Sequence, residues 1–434
     1  MVSVQVSRSS LKGSVRCPSS KSYSHRAIAV ASLCPGKSTI QNALLARDTL
    51  ATLAGCRSFG ASITHSDTTV TVQGHERLDL PENVINAENS GTTIRILAAM
   101  SGLALPAGYT VLTGDESLRK RPMLPILQAL NELGVEAFST KMNGRPPLVI
   151  KGGGIRGGHA VIDGSISSQF ISGLLIAGIY AEREIALDIA GNLVSRPYVL
   201  ATIATMKRFG VSIDASDDLL HYKIKSGRYK PTSFEVPSDF STAALLLAAG
   251  ALVSESLVIE GLNFELPQGD AAIIDILQKM GSNLRVDRAK GRVSIEKSEK
   301  LEGGEFDLGD TPDLLPVVSV LALKSRSPVA IRGVAHARVK ETDRVANIAL
   351  ELAKLGADVS EYPDGLSIKA PPTLRNASLE AYNDHRLFMA FTIASMLTDK
   401  SVVAGAESVD VSYPNFISDM HELGANISPM PDRE

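Results

Sequence analysis

Seven cations stand at or near the expected starts of helices, where backbone chemistry favours the opposite sign. Lys21, Arg26, Arg95 and Arg386 open apolar helical segments, and Arg121, Lys340 and Arg344 lie at the starts of second helices. A helix N-terminus offers free N–H groups and about half a positive charge, so it attracts phosphate or carboxylate. A cation there opposes the dipole unless an anion accompanies it, and a local conflict that recurs marks a functional site. The pattern points to one or two small, highly anionic ligands. Glu341, Asp313 and His385 lie among these cations as acid–base candidates, because neighbouring charges tune such groups in either direction. Lys340 and Arg344 are four residues apart. On a continuous helix they share a face and repel unless an anion lies between them, with Glu341 about 100° round. Each feature taken singly has a plainer reading: Ser, Thr, Asp and Asn are the preferred N-caps, a charge run is commonly a solvated face, and a lone His is commonly structural. The glycines at 152–154 lack a phosphate-loop context and read as a turn.

The segments that carry these residues repeat. Six times a polar cluster runs into small and aliphatic residues: 19–26 before 27–33, 89–93 before 94–100, 165–169 before 170–180, 238–242 before 243–253, 310–313 before 314–323, and 383–386 before 387–397. The starts are 70, 76, 73, 72 and 73 residues apart, the signature of a repeated structural unit. In a second series an apolar residue precedes Gly60, Gly134, Gly210, Gly281, Gly356 and Gly424, where a left-handed C-cap ends a helix. Short β-rich runs at 70–72, 110–112, 148–150, 185–187, 257–259 and 329–331 lie between them. The first helix of each unit, apolar all round, suits a buried position. The pattern predicts an α/β protein of six βαβαββ repeats in two domains of three. The N-terminal domain is 19–238; the C-terminal domain is 1–18 plus 239–434 and includes the N-terminal strand. The active site is expected in the cleft between them.

Composition narrows the function. The 434 residues include 44 Lys+Arg against 47 Asp+Glu, a formal charge of −3, so no overall basic excess exists to hold nucleic acid or an anionic membrane. Hydrophobic content of 44% with 21% charged residues fits an ordinary globular protein. Cys17, Cys34 and Cys56 form no CxxC pair, which argues against a disulfide framework and a zinc site and fits a reducing, cytoplasmic setting. The first eight residues alternate like a strand and lack the layout of a secretory signal. The longest apolar run, 243–253, falls short of the roughly 20 residues that span a bilayer. A soluble protein without nucleic-acid or membrane partners is expected.

Seven motifs, in order along essentially the whole chain, resemble the 5-enolpyruvylshikimate-3-phosphate synthase family. They are Pro18-Ser-Ser-Lys21-Ser22 with Arg26, Asn89-Ser-Gly91-Thr92 with Arg95, Arg121-Pro122, Asp163-Gly-Ser-Ile-Ser167-Ser168-Gln169, Ser195-Arg-Pro-Tyr198, Arg338-Val-Lys340-Glu341-Thr-Asp-Arg344 and Asn383-Asp-His385-Arg386. The resemblance implies a two-domain inside-out α/β barrel, without metal or organic cofactor. It implies transfer of the enolpyruvyl group of phosphoenolpyruvate to the 5-hydroxyl of shikimate 3-phosphate, with release of phosphate. It further implies that Ser167, Ser168 and Ser195 hold the phosphate of shikimate 3-phosphate and that Ser22 and Arg26 meet its carboxylate. Gln169, Tyr198 and His336 then surround the ring, with Asp313 and Lys340 at its hydroxyls. Lys21, Gly91 and Arg121 would bind the phosphate of phosphoenolpyruvate and Arg344 and Arg386 its carboxylate; Asn89, Thr92, Gln169, Glu341 and His385 complete that set. Glu341 is the implied acid at the methylene and Asp313 the implied base at the 5-hydroxyl. Lys21 offsets charge at both substrates, and His385 is a further catalytic candidate. Domain closure about the crossings near 19 and 237 is expected to exclude water.

Two positions depart from the family. Val411 stands where many members carry a lysine, which predicts weaker phosphoenolpyruvate binding, and His336 stands where Asn is common. Likeness to the family also makes glyphosate an expected inhibitor at the phosphoenolpyruvate site, left open by the bare Gly91 and blunted by Ile96 and Val411, and makes the protein a monomer. Two alternatives compete. The related UDP-N-acetylglucosamine enolpyruvyl transferases typically carry a reactive Cys in a loop, and 114–125 has none. A non-catalytic, RNA-binding repeat protein needs a basic face, whereas these cations gather at a few helix starts.

Overall fold

The computed structural model describes residues 2–430. Met1 and 431–434, which the sequence reading assigns to the C-terminal domain, lie outside the described residues. The chain forms two compact units: one runs up to Pro18 and resumes at Ser238, and the other is Ser19–Pro237. Ser238 therefore falls on the other side of the boundary from where the sequence reading drew it.

Six four-stranded sheets share one pattern. In Leu11–Arg16, Ser254–Glu260, Arg292–Glu296 and Asn283–Asp287 the first two strands are parallel and the remaining pairs antiparallel. The same order recurs in Gly304–Asp307, Val329–Arg332, Gly365–Lys369 and Asp358–Tyr362. A parallel pair needs a crossover, and in four of the sheets the buried helix lying between the two strands in the chain supplies it: Gly91–Ser101, Gln169–Gly178, Leu315–Leu321 and His385–Ser395. Helix Phe240–Val253 leads into Ser254–Glu260, which lies parallel to Leu11–Arg16, so the Ser19–Pro237 unit is inserted within one repeat of the other. Ser19–Pro237 closes on itself in the same way, Ser233–Glu235 lying parallel to Gly36–Gln41. The N-terminal strand Ser3–Ser7 pairs with Ser401–Ala404 and Asn426–Pro429, in the unit that resumes at Ser238.

Every residue of the helices Gly91–Ser101, Phe240–Val253 and His385–Ser395 is buried, as expected for segments without a polar face. Gly173 allows helix Gln169–Gly178 to approach Gly91–Ser101, because a Cβ there would lie 2.6 Å from the Arg95 carbonyl oxygen. The six glycines of the second series have φ of 93°, 84°, 83°, 73°, 97° and 103°, the left-handed values that end a helix cleanly. One local reading is corrected. Lys340 and Arg344 do not share a helix turn: a 3-10 segment, Ala335–Val339, ends before Lys340, and the next helix, Arg344–Lys354, starts at Arg344 with Asp343 as its N-cap. The Asp343 carboxylate accepts from the Ala346 N–H, so this aspartate starts the helix after Lys340 rather than before it. No described helix is long and apolar enough to cross a membrane.

Candidate active site

In the Ser19–Pro237 unit the caps of the buried helices are uncharged. Ser20 accepts from the Tyr23 N–H at the start of Lys21–Ser32, and Ser90 from the Thr93 N–H at the start of Gly91–Ser101. Ser168 precedes Gln169–Gly178, whose first N–H bonds to Ser167. The cations stand just beyond these caps. Lys21 Nζ lies 3.1 Å from Asp48 Oδ2. Arg121 donates to Asn89 Oδ1 at 2.7 Å, and Arg95 donates to Gln169 Oε1 at 2.7 Å while Gln169 donates to Thr92 Oγ1 at 2.9 Å. Gly91 sits between the two arginines: a Cβ there would lie 3.0 Å from Arg95 Nη1 and 3.1 Å from Arg121 Nη1. Asn89, Gly91, Thr92, Arg121 and Gln169 are thus gathered into one cluster.

Arg26 turns inward. Its guanidinium donates to Thr202 Oγ1, Ser172 Oγ and the carbonyls of Ser22 and Tyr198, at 2.7, 3.3, 2.8 and 3.0 Å, and burial lowers its pKa to about 10. It ties Ser22 and Tyr198 together. Ser195, with φ 57°, opens the helix Arg196–Arg208 that carries Tyr198. Ser168 and Ser195 are buried, and Ser167 is half-buried.

The other unit places carboxylates near the starts of its buried helices instead: Asp239 and Asp384 are the N-cap residues of Phe240–Val253 and His385–Ser395, and Asp313 lies in the 3-10 turn Pro312–Leu314 that leads into Leu315–Leu321. Arg344, fully buried, gathers three acids. Its Nε lies 2.7 Å from Asp384 Oδ2, its Nη1 2.9 Å from Asp313 Oδ1, and its Nη2 2.8 Å from Glu341 Oε2. Arg386 Nη2 meets the other Asp313 oxygen at 3.0 Å. The anion the sequence demanded beside Arg344 is therefore supplied by the chain itself, and its pKa is raised by Asp384, Glu341 and Asp313 against burial. His385 is buried at the first position of its helix. Val411 is also buried, at the end of the 3-10 segment Ala406–Val411, and Ile96 belongs to the core.

Two titrations follow from burial. The Asp270 carboxyl, which accepts from Ser241 Oγ, is pushed up to about 7 by desolvation and then by Asp313, with Arg386 opposing. His336 is pulled down to about 3 by burial and then by Lys340, with Asp313 opposing. A folded-state pKa below the ordinary 6.5 means that the unfolded chain takes up a proton the folded chain refuses, so stability falls as pH drops from about 6.5 towards about 3. His336→Asn is expected to reduce the stability lost between about pH 6.5 and 4.5 by roughly 2–3 kcal/mol, at about 1.4 kcal/mol per pH unit. Urea unfolding at several pH values checks this; an unchanged slope would show that His336 is not held neutral.

Asp48, Asp270, Ser172 and Thr202 escaped the sequence reading, and Asp384 was read only as part of a motif. A signal for Asp384 existed: Asp239, Asp313 and Asp384 recur 74 and 71 residues apart, at the repeat period. Among the described residues no group of His, Cys, Asp and Glu side chains is arranged to hold a metal ion.

Residues 6–420 match the family model for EPSP synthase (3-phosphoshikimate 1-carboxyvinyltransferase). A 3-phosphoshikimate 1-carboxyvinyltransferase of Nitrosopumilus maritimus is 47% identical over 425 residues, covering 98% of this chain and 99% of that protein. One of Korarchaeum cryptofilum is 42% identical with the same coverage. Among solved structures, the EPSP synthase of Acinetobacter baumannii superposes with a TM-score of 0.83 at 27% identity, covering 99% of this chain and 100% of that one. By the family model over residues 6–420 and by full-length relatives at 42–47% identity, the chain belongs to the EPSP synthase (3-phosphoshikimate 1-carboxyvinyltransferase) family.

Proposed function

We propose that the chain transfers the enolpyruvyl group of phosphoenolpyruvate to the 5-hydroxyl of shikimate 3-phosphate and releases inorganic phosphate. The observation that carries the reading is the pair of carboxylates, Asp313 and Glu341, held on one buried guanidinium with Arg386 beside them. Carbon 2 of phosphoenolpyruvate becomes electrophilic only when carbon 3 is protonated, and Glu341 supplies that proton. Asp313 takes the proton of the 5-hydroxyl as its oxygen attacks carbon 2. The tetrahedral intermediate then loses phosphate as carbon 3 returns its proton to Glu341, and Lys21 offsets the charge on the substrates. The carboxylate of phosphoenolpyruvate pairs with Arg386 and Arg344, whose forks suit a two-oxygen partner. At Arg344 it replaces Glu341, which releases the acid towards the methylene.

The serine caps support the anion-binding assignments. Ser167, Ser168 and Ser195 take the phosphate of shikimate 3-phosphate, Ser22 and Arg26 its carboxylate, and Gln169, Tyr198, His336 and Lys340 its ring. Lys21, Asn89, Gly91, Thr92 and Arg121 take the phosphate of phosphoenolpyruvate, and His385 completes that set. Likeness to the family makes the enzyme cytoplasmic and monomeric. Phosphate release with phosphoenolpyruvate plus shikimate 3-phosphate, beside each substrate alone and phosphoenolpyruvate plus UDP-N-acetylglucosamine, tests the reading. Release with the shikimate pair alone is expected; release with the UDP sugar, or with neither pair, overturns it.

Two consequences can be measured. Glyphosate is expected to compete with phosphoenolpyruvate, since Gly91 puts no side chain against Arg95 and Arg121, whose guanidinium nitrogens a Cβ there would meet at 3.0 and 3.1 Å; activity unchanged at about millimolar glyphosate, where an ordinary KM falls, counts against it. Val411→Lys is expected to lower the KM for phosphoenolpyruvate, with the ammonium extended out of the buried position. An unchanged KM beside a lowered Tm would mean that the added cation fails to reach the substrate.

A further inference from the structure

The helix Arg344–Lys354 grips the segment before His385 at two points two turns apart. At its first residue Arg344 holds Asp384 through Nε and Nη2, at 2.7 and 3.3 Å. Seven residues on, on the same face, Glu351 is fully buried and holds the residues before Asp384. Its Oε1 accepts from the Tyr382 hydroxyl at 2.7 Å, and its Oε2 from the Glu380 N–H at 3.0 Å. Lys354 neutralises it, donating to the two oxygens at 2.7 and 2.8 Å.

The grip spans a strained turn. The Asp384 N–H bonds to the Ala381 carbonyl at 2.9 Å, and both central residues, Tyr382 and Asn383, have positive φ, 53° and 57°. Such a turn is dominated by Gly, Asn and Asp, and a bulky aromatic at its first central position is an outlier. Strain of this kind persists only where surrounding contacts over-determine it, and it clusters at functional sites. Here the Tyr382 hydroxyl is fixed by Glu351 and the Tyr382 N–H by Glu380 Oε1 at 3.1 Å. Asp384 follows directly, caps the next helix through the Arg386 N–H at 2.9 Å, and so aims Arg386 at Asp313.

The geometry points to Glu351 and Tyr382 as positioning residues for the reaction: through the turn at 381–384 they set where Asp384 and Arg386 stand, and hence how Arg386 meets Asp313 and the carboxylate of phosphoenolpyruvate. The inference rests on the enolpyruvyl transfer proposed above. Neither residue touches substrate in this account.

Tyr382→Phe keeps the ring and removes the hydroxyl, and Ile348→Val, a buried change on the same helix, serves as the stability control. Tyr382→Phe is expected to raise the KM for phosphoenolpyruvate about 10-fold, the factor that 1.4 kcal/mol of lost binding represents, while the KM for shikimate 3-phosphate stays put. Ile348→Val is expected to lower Tm at least as much and to move neither KM. Amide hydrogen exchange over 382–388, which needs no turnover, is expected to quicken about 10-fold in Tyr382→Phe relative to the control, the same factor read as lost protection. A KM for phosphoenolpyruvate and an exchange rate that both match the control overturn the inference. Wild-type protein that releases no phosphate overturns the proposed reaction instead, and the exchange comparison still decides whether Tyr382 holds the turn.

Discussion

Asp313→Asn is expected to lower kcat by roughly 10²–10⁴-fold, the range that a positioned proton acceptor contributes. The carboxylate bridges two guanidiniums, Arg344 at 2.9 Å and Arg386 at 3.0 Å. Its side chain keeps 14% of its surface open, against none for Asp384, so it can reach a substrate hydroxyl where Asp384 cannot. Asparagine keeps the shape and the acceptor oxygen but takes no proton. A loss carried by kcat, with both KM values within a few-fold, is the outcome that fits a base acting in the transition state. Retention of more than about a tenth of kcat, a barrier change under 1.4 kcal/mol, would remove Asp313 from that role.

The second large effect is on stability. Asp384→Ala is expected to cost about 3–5 kcal/mol, because it leaves the Arg344 guanidinium buried with less countercharge, and about 1 kcal/mol more through the lost N-cap of His385–Ser395. Against a total of about 5–15 kcal/mol, such a loss shows directly in a urea unfolding curve. Arg344→Met alone strands the same pair from the other side. Asp313 and Glu341 keep 14% and 13% of their side-chain surface and can turn to water, whereas Asp384 has none. The double variant Arg344→Met/Asp384→Leu removes the stranded charge and is expected to recover most of the loss. A double variant as unstable as the sum of its parts would show that the pair is not what the cost comes from.

Legibility from sequence followed the range of the interaction. The apolar helices and the six glycines at left-handed C-caps could be read directly, because each is set by residues within one turn of one another, and the repeat is these local signals recurring every 70 to 76 residues. The excess of cations at helix starts was legible for the same reason, as a conflict between a side chain and its own backbone dipole. Partner choice was not. Arg344 finds Asp384 and Asp313 at 40 and 31 residues' separation, and nothing local distinguishes those aspartates from ordinary caps. Lys340 and Arg344 looked like one helical face, yet Asp343 starts the helix between them and separates the two. Arg26 reads as a ligand cation, and the four partners its own unit supplies, Thr202, Ser172 and the carbonyls of Ser22 and Tyr198, could not be read from spacing. Spacing and residue type determined that this chain would be a six-repeat α/β protein with charge gathered at helix starts. Only the tertiary structure decided that Asp313 and Asp384 neutralise Arg344 and Arg386 while Arg95 and Arg121 donate to the uncharged side chains of Gln169 and Asn89, because a charge takes its character from neighbours that folding alone brings within about 3 Å.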